Sequence, residues 1–161
     1  MRDAFNIYRA ETLCMGISEM ENLSRVAQRR LGERRVGDGD AVMFDIDDTL
    51  WEVRTGKRIE PMLDLLYTSR MLGYSIVIIT ARPSTPDNQR WTIQQLHQMG
   101  VVPDHIAYCP PEVKDDAKDA YTQQKGLRFI LSVGDQWTDL GNSKWWLKLP
   151  AYNDPRMGGN F

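Results

Sequence analysis

The sequence predicts an α/β fold built on a doubly wound, mostly parallel sheet, and three observations predict it. Short apolar runs of strand length recur at 41–45, 75–79, 105–109, 129–133 and, more weakly, 146–149. Segments with helical spacing of apolar residues, 61–72, 87–99 and 112–125, lie between them. Strands that alternate with helices close into right-handed βαβ crossovers and a parallel sheet. Polar and charged residues gather just after several of these runs, and the carboxyl ends of strands are where such sheets bind ligands.

Each element has its own signal. Residues 3–31 carry Phe5, Tyr8, Leu13, Ile17, Met20, Leu23, Val26 and Leu31 at helical intervals. Gly32 and the Gly37-Asp38-Gly39-Asp40 turn end that helical segment. Arg25, Arg29, Arg30, Arg34 and Arg35 cluster at its end, as solvated cations complementing the helix dipole would. Ala41-Val42-Met43 begins a buried strand. Pro61 suits the first turn of the next helix and Gly73 its stop. Ser75-Ile76-Val77-Ile78-Ile79, His105-Ile106-Ala107-Tyr108-Cys109 and Phe129-Ile130-Leu131-Ser132-Val133 supply further strands. Trp145-Trp146 reads as core or as a dimer interface, which keeps a homodimer open. Gly158-Gly159-Asn160 and Phe161 read as a loose tail. The chain is thus expected to form one domain, with a helical segment (1–36), an α/β core (40–152) and a tail (153–161).

Composition narrows the class. Of 161 residues, 42% are hydrophobic and 26% charged, as in soluble globular proteins. A net charge of −2 gives no global pull toward nucleic acid or membrane. No apolar run approaches the roughly 20 residues that span a bilayer, and the first residues lack the apolar core of a signal peptide. Cys14 and Cys109 have neither zinc spacing nor a disulfide framework, and read as small buried hydrophobes. A reducing cytoplasm is the expected compartment.

The chemistry concentrates in Phe44-Asp45-Ile46-Asp47-Asp48-Thr49-Leu50. A buried strand delivers Asp45 and Asp47 at its carboxyl end, and the turn that follows lets each carboxylate be aimed separately. Two carboxylates about 4 Å apart repel by roughly 4 kcal/mol at an effective dielectric of 20. A divalent cation between them, or a proton on one, relieves that repulsion. An Asx-type turn accounts for one or two of these acids, not for three against a hydrophobic strand. The second strand ends in Thr80-Ala81-Arg82, and the fourth in Gly134-Asp135-Gln136-Trp137-Thr138-Asp139. A hydroxyl, an arginine and several acids on one sheet edge describe a divalent-metal and phosphate site. No glycine-rich dinucleotide fingerprint or Walker loop is present.

With these residues the chain resembles the haloacid dehalogenase (HAD) phosphatase superfamily. Asp-Ile-Asp-Asp-Thr at 45–49 is similar to its first motif, Thr80 to its second, and Gly134-Asp135 with Asp139 to its fourth. More narrowly, Gly73 through Pro83, Thr92 through Gly100, Gly134 through Leu140 and Lys148-Leu149-Pro150 resemble the branch of class B acid phosphatases and plant vegetative storage proteins. The likeness covers about residues 40–152. It implies a HAD-like Rossmannoid core with N-terminal helices.

What the resemblance implies for mechanism falls residue by residue. Asp45 would be the nucleophile that forms an aspartyl-phosphate, and Asp47 the acid and then the base. Thr80 would bind a phosphoryl oxygen. Mg²⁺ would be held by Asp45, the Asp47 carbonyl and Asp135, with Asp139 supporting it through water or a second contact. The charge-neutralising lysine would be Lys114, with Lys118 the second choice, while Lys125 suits a helix C-terminus. Arg82 and Trp51 follow the motifs and are expected to line the substrate pocket, or alternatively to brace the loop and pack on the core.

The intervals from Asp45 to Thr80 and from Thr80 to Lys114 are too short for a large cap domain, so an open site is expected. The expected activity is Mg²⁺-dependent hydrolysis of small phosphomonoesters. A polynucleotide 3′-phosphatase or nucleotidase, acting on a nucleotide or nucleic-acid end, is the alternative on the same fold. A storage or binding protein with weak catalysis is the second alternative. Retention of Asp45, Asp47, Thr80 and Asp135 argues against it.

Overall fold

The computed structural model describes residues 2–161, and the side chains from Gly16 onward. Phe5, Tyr8, Leu13 and Cys14 therefore lie outside the described side chains. The chain runs α1 (Arg2–Gly32), β1 (Asp40–Phe44), α2 (Glu60–Leu72), β2 (Ser75–Thr80), α3 (Pro86–Gln98), β3 (His105–Tyr108), α4 (Lys114–Lys125), β4 (Arg128–Gly134), β5 (Trp145–Lys148) and β6 (Gly158–Gly159). Short 3₁₀ turns at Pro111–Val113 and Trp137–Asp139 precede α4 and follow β4.

The six strands form one sheet in the order β3-β2-β1-β4-β5-β6. All pairings are parallel except β5 with β6. Chain direction from β1 first moves to one side, through β2 and β3, and then crosses back to β4 and β5. That reversal is the topological switch at which open α/β sheets bind ligands. β1 sits at the centre, fully buried along its length, with Val42 opposite both Ile76 and Leu131. Its pairing with β4 shifts register between Ala41 and Val42.

Alternation of side chains across the central strands builds two cores. Val42, Phe44, Ile76, Ile78, Leu131 and Val133 point to one face, where Ala27 and Leu31 of α1 and Met62 and Leu66 of α2 cover them. Ala41, Met43, Val77, Ile79 and Phe129 point to the other, against Ala117 and Tyr121 of α4. The α1–α2 seam also carries polar ties. Buried Ser24 donates to the Pro61 carbonyl at 2.6 Å, and Thr68 donates to Gln28 at 2.9 Å.

Three expectations need correction. The N-terminal part is a single helix, and Ile17, placed on its apolar side by periodicity, is 55% exposed. Arg34 is more than a solvated helix-end cation. It bonds the buried Asp40 carboxylate at 2.9 Å, and Asp40 also takes Arg128 Nε at 3.0 Å and the Gly37 N–H at 2.8 Å. The last residues are not loose. Gly158–Gly159 pairs with β5, Asn160 accepts the Trp146 N–H, and Phe161 packs on the main core. Two glycines and an asparagine hide a strand from any propensity argument, because the backbone of β5 recruits them.

Trp145 packs against the main core, and Trp146 stands edge-on to Trp137 with centroids 4.9 Å apart. The connections leaving the carboxyl ends of β1 and β2 span 45–59 and 81–85. Neither is long enough to carry a cap domain. No helix among the described residues is long and apolar enough to cross a membrane.

Candidate active site

The last ladder bond of β1 is donated by the Asp45 amide to the Val133 carbonyl at 3.0 Å. Beyond it the Ile46 carbonyl accepts the amides of both Thr49 and Leu50. Asp48 takes a left-handed conformation, φ 58°, which aspartate tolerates better than most residues. The tight loop aims the two motif carboxylates differently, as three acids after a strand end suggested.

Asp45 is buried and looks toward α4 and the loop after β4. Its Oδ1 accepts Lys114 Nζ at 3.0 Å, and its Oδ2 accepts the Thr49 hydroxyl at 3.3 Å. Lys114 Nζ also lies 2.6 Å from Asp139 Oδ1. Carboxylate oxygens of Asp45, Asp135 and Asp139 come within 4.8 Å of one another. Asp135 and Asp139 sit just after β4, and all three acids are buried.

Three acids against one lysine leave negative charge uncompensated in a buried site. Burial first, then the Asp139 charge, push the Asp45 carboxyl well above the usual carboxylate range, against the pull of Lys114. Burial and Asp139 likewise raise Asp135. Lys114 shows the complementary effect. Its burial opposes the charged form, but Asp45 and Asp139 together hold it more firmly protonated than a free lysine. A hard divalent cation with oxygen ligands is what such a donor set accommodates. Asp45, Asp135 and Asp139 fit Mg²⁺ in that sense, with no nitrogen or sulfur ligand in the group.

Close packing fixes this geometry. Gly134 has no room for a side chain, because a Cβ there would lie 2.3 Å from Asp139 Oδ2. The Gln136 N–H donates to that same Oδ2 at 3.1 Å. Gly141 is constrained in the same way, since a Cβ would lie 2.5 Å from the Asp115 carboxylate oxygens.

Asp47 stands apart from the three acids. Arg82 grips it with Nε to Oδ2 at 3.1 Å and a terminal nitrogen to Oδ1 at 2.7 Å, and Trp51 Nε1 donates to Oδ1 at 2.9 Å. Burial would raise the Asp47 carboxyl, but the bonds from Arg82 and Trp51 outweigh it and hold the group below the usual range. Arg82 is itself anchored on Thr92 at 3.2 Å and stacked 4.6 Å from the Trp91 ring centre. Thr80 is fully buried, and its hydroxyl oxygen accepts the Arg82 amide at 3.2 Å.

The structure thus brings Asp45, Asp135, Asp139 and Lys114 into one cluster, with Asp47, Arg82 and Trp51 in an adjoining one. Lys118, the other lysine candidate, meets no carboxylate at bonding distance. Its Nζ donates to the carbonyls of Asp139 and Gly141, each at 2.6 Å, and its burial lowers its pKa to about 8. Sequence reasoning singled out neither Trp91 nor the Gln136 amide. Trp91 left one signal, an aromatic residue in a helix otherwise exposing polar side chains. The amide left none, since its role depends on the turn it starts.

The family model for the HAD superfamily, subfamily IIIB (acid phosphatase), matches residues 51–155. The match contains Thr80, Lys114, Asp135 and Asp139 and begins just after Asp45 and Asp47. The fold is shared with the class C acid phosphatase of Bacillus anthracis, at TM-score 0.58 and 20% identity. A tungstate-bound structure of the class C acid phosphatase from the same organism gives TM-score 0.53 and 19% identity. Each comparison covers 76% of this chain and 65% of the other, so the chain spans just under two thirds of the length of these relatives. No curated protein matches the sequence.

Proposed function

The chain belongs to the HAD superfamily, subfamily IIIB (acid phosphatase), and on that premise we propose that it hydrolyses small phosphomonoesters through an aspartyl-phosphate. One observation carries the reading: Asp45 and Lys114 are bonded at 3.0 Å beside Asp135 and Asp139. Lys114 at that distance favours the anionic Asp45 oxygen, the form that attacks phosphorus, and so opposes the burial and the Asp139 charge that raise its carboxyl. Thr80, at the end of the neighbouring strand, would donate its hydroxyl to a phosphoryl oxygen.

Asp45, Asp135 and Asp139 would hold Mg²⁺, which supplies Lewis-acid stabilisation of the transferring phosphoryl group. The chain's own residues do the rest. Asp45 forms the bond to phosphorus as the leaving oxygen departs, and that oxygen takes a proton. Water then attacks the phosphoryl group, its proton passing to a base, and Asp45 is released with inorganic phosphate. Asp47, held as a carboxylate by Arg82 and Trp51, is in the form needed for the second step. For the first step it must carry a proton, so leaving groups that need none are favoured.

Hydrolysis of p-nitrophenyl phosphate with and without Mg²⁺ tests the proposal. Turnover should require the cation and fall at least 10³-fold in Asp45→Asn. A folded Asp45→Asn variant with near wild-type turnover would remove Asp45 from the nucleophile's role.

One observation favours a narrower substrate class. Trp91, 49% exposed, lies edge-on to Trp51 with centroids 6.5 Å apart, beside the Arg82–Asp47 pair. A planar leaving group such as a nucleobase would find an aromatic surface there. A preference for nucleoside monophosphates over glycerol phosphate that disappears in Trp91→Ala checks this reading.

A further inference from the structure

Lys118 is an expensive residue for this chain to keep. It is fully buried, yet its ammonium bonds only two backbone carbonyls, those of Asp139 and Gly141. The nearest acid oxygen, on Asp115, is 3.9 Å away. Burying an ammonium without a close carboxylate is unfavourable, and an apolar side chain of similar length would fill the same space. The charge must therefore do something that packing alone does not.

What it meets explains the choice. The turn Trp137–Asp139 is a single 3₁₀ turn, and the carbonyls at the end of such a turn have no following helix to satisfy them. Lys118 gathers two of the carbonyls at and after this end to one point. Lys114, one helical turn earlier on the same face of α4, bonds the Asp139 carboxylate. Asp139 is thereby fixed three times: its carbonyl by Lys118, Oδ1 by Lys114, and Oδ2 by the Gln136 amide.

We infer that Lys118 is a positioning residue for the metal site, setting the place of Asp139 against Asp45 and Asp135 by holding the carbonyls of the loop that carries it. The inference rests on the metal reading given above. Partners that orient metal ligands in this way commonly change affinity by 10–100-fold when removed.

The molecule contains its own control. Lys148 is equally buried, and its ammonium also bonds carbonyls, those of Leu149, Asp154 and Arg156. None of these belongs to the loop that bears Asp135 and Asp139. A lysine whose only task is to stabilise a loop should behave alike at both positions.

The test is Mg²⁺ binding by calorimetry, without substrate, in wild type, Lys118→Met and Lys148→Met. Lys118→Met should weaken Mg²⁺ at least tenfold, while Lys148→Met lowers Tm and leaves the Kd within about twofold. Saturating Mg²⁺ should bring the kcat of Lys118→Met back to within about threefold of wild type. Should Lys118→Met fail to fold, Lys118→Gln carries the test. Its amide is one bond shorter and uncharged, so it does not gather the two carbonyls as the ammonium does, and its Kd should rise. An unchanged Kd in the folded variant overturns the inference, as does an equal weakening in Lys148→Met. A wild-type protein that binds no Mg²⁺ overturns the metal reading and this inference together.

Discussion

At the scale of single residues, Asp45 is under opposite demands for stability and for reactivity. Its native pKa is raised by burial and by Asp139, so the stability it contributes is full below its unfolded value and is lost as pH rises through the native one. The metal-free protein should therefore become more stable on mild acidification from neutral pH. Asp45→Asn should raise the metal-free Tm at pH 7 by about 2–4 °C, the shift expected for roughly 1 kcal/mol. A lower Tm in that variant would show that the bond to Lys114 outweighs the repulsion. Asp47→Asn should separate substrates, losing on the order of 10²-fold or more on alkyl phosphates but far less on p-nitrophenyl phosphate. The identities of these residues were legible because acids after an apolar strand are chemically conspicuous. The clasp of Asp47 by Arg82 and Trp51 was not, since it depends on how three side chains turn after the backbone is set. Nor could spacing decide between Lys114 and Lys118, which share a helix face; only their different partners separate them.

At the scale of elements, loops are fixed by what their neighbours leave no room for. Gly134→Ala should displace the Asp139 carboxylate and weaken Mg²⁺ while leaving the β4 ladder intact, measurable as a higher Kd with unchanged far-UV dichroism. At the opposite end of the sheet, Asp40 ties the end of α1 to β4. Burial would raise its pKa, but Gly37, Arg34 and Arg128 bring it below the usual value. The stability from this group is present above the unfolded pKa and is lost as pH falls through the native one. Asp40→Asn should cost about 1–2 kcal/mol at pH 7, because the carboxylate is buried but Arg34 and Arg128 stay partly in solvent, and should flatten the acid limb of the stability curve. The strands β1, β2 and β4 were readable as apolar runs because they are buried on both faces. β6 was not, because its two residues contribute backbone pairing and no side-chain pattern.

At the scale of the whole molecule, binding of Mg²⁺ to the native state alone would stabilise it by about 2.7 kcal/mol at 100 times its Kd. A Tm rise of roughly 5–10 °C on adding Mg²⁺ is the corresponding expectation, and Asp135→Asn should abolish it. Sheet class and site edge followed from the alternation of elements and from the polar residues gathered after the strands. The strand order needed the structure, because the return from β3 to β4 across β1 leaves no local mark. That order also has a kinetic consequence. β1 lies between β2 and β4, yet it ends at Phe44 while β4 begins only at Arg128. During synthesis one hydrogen-bonding edge of this fully buried strand waits, unpaired, until most of the chain has left the ribosome. Such an edge is a template for association with other chains, so slow or interrupted translation between these strands should lower soluble yield before it lowers specific activity.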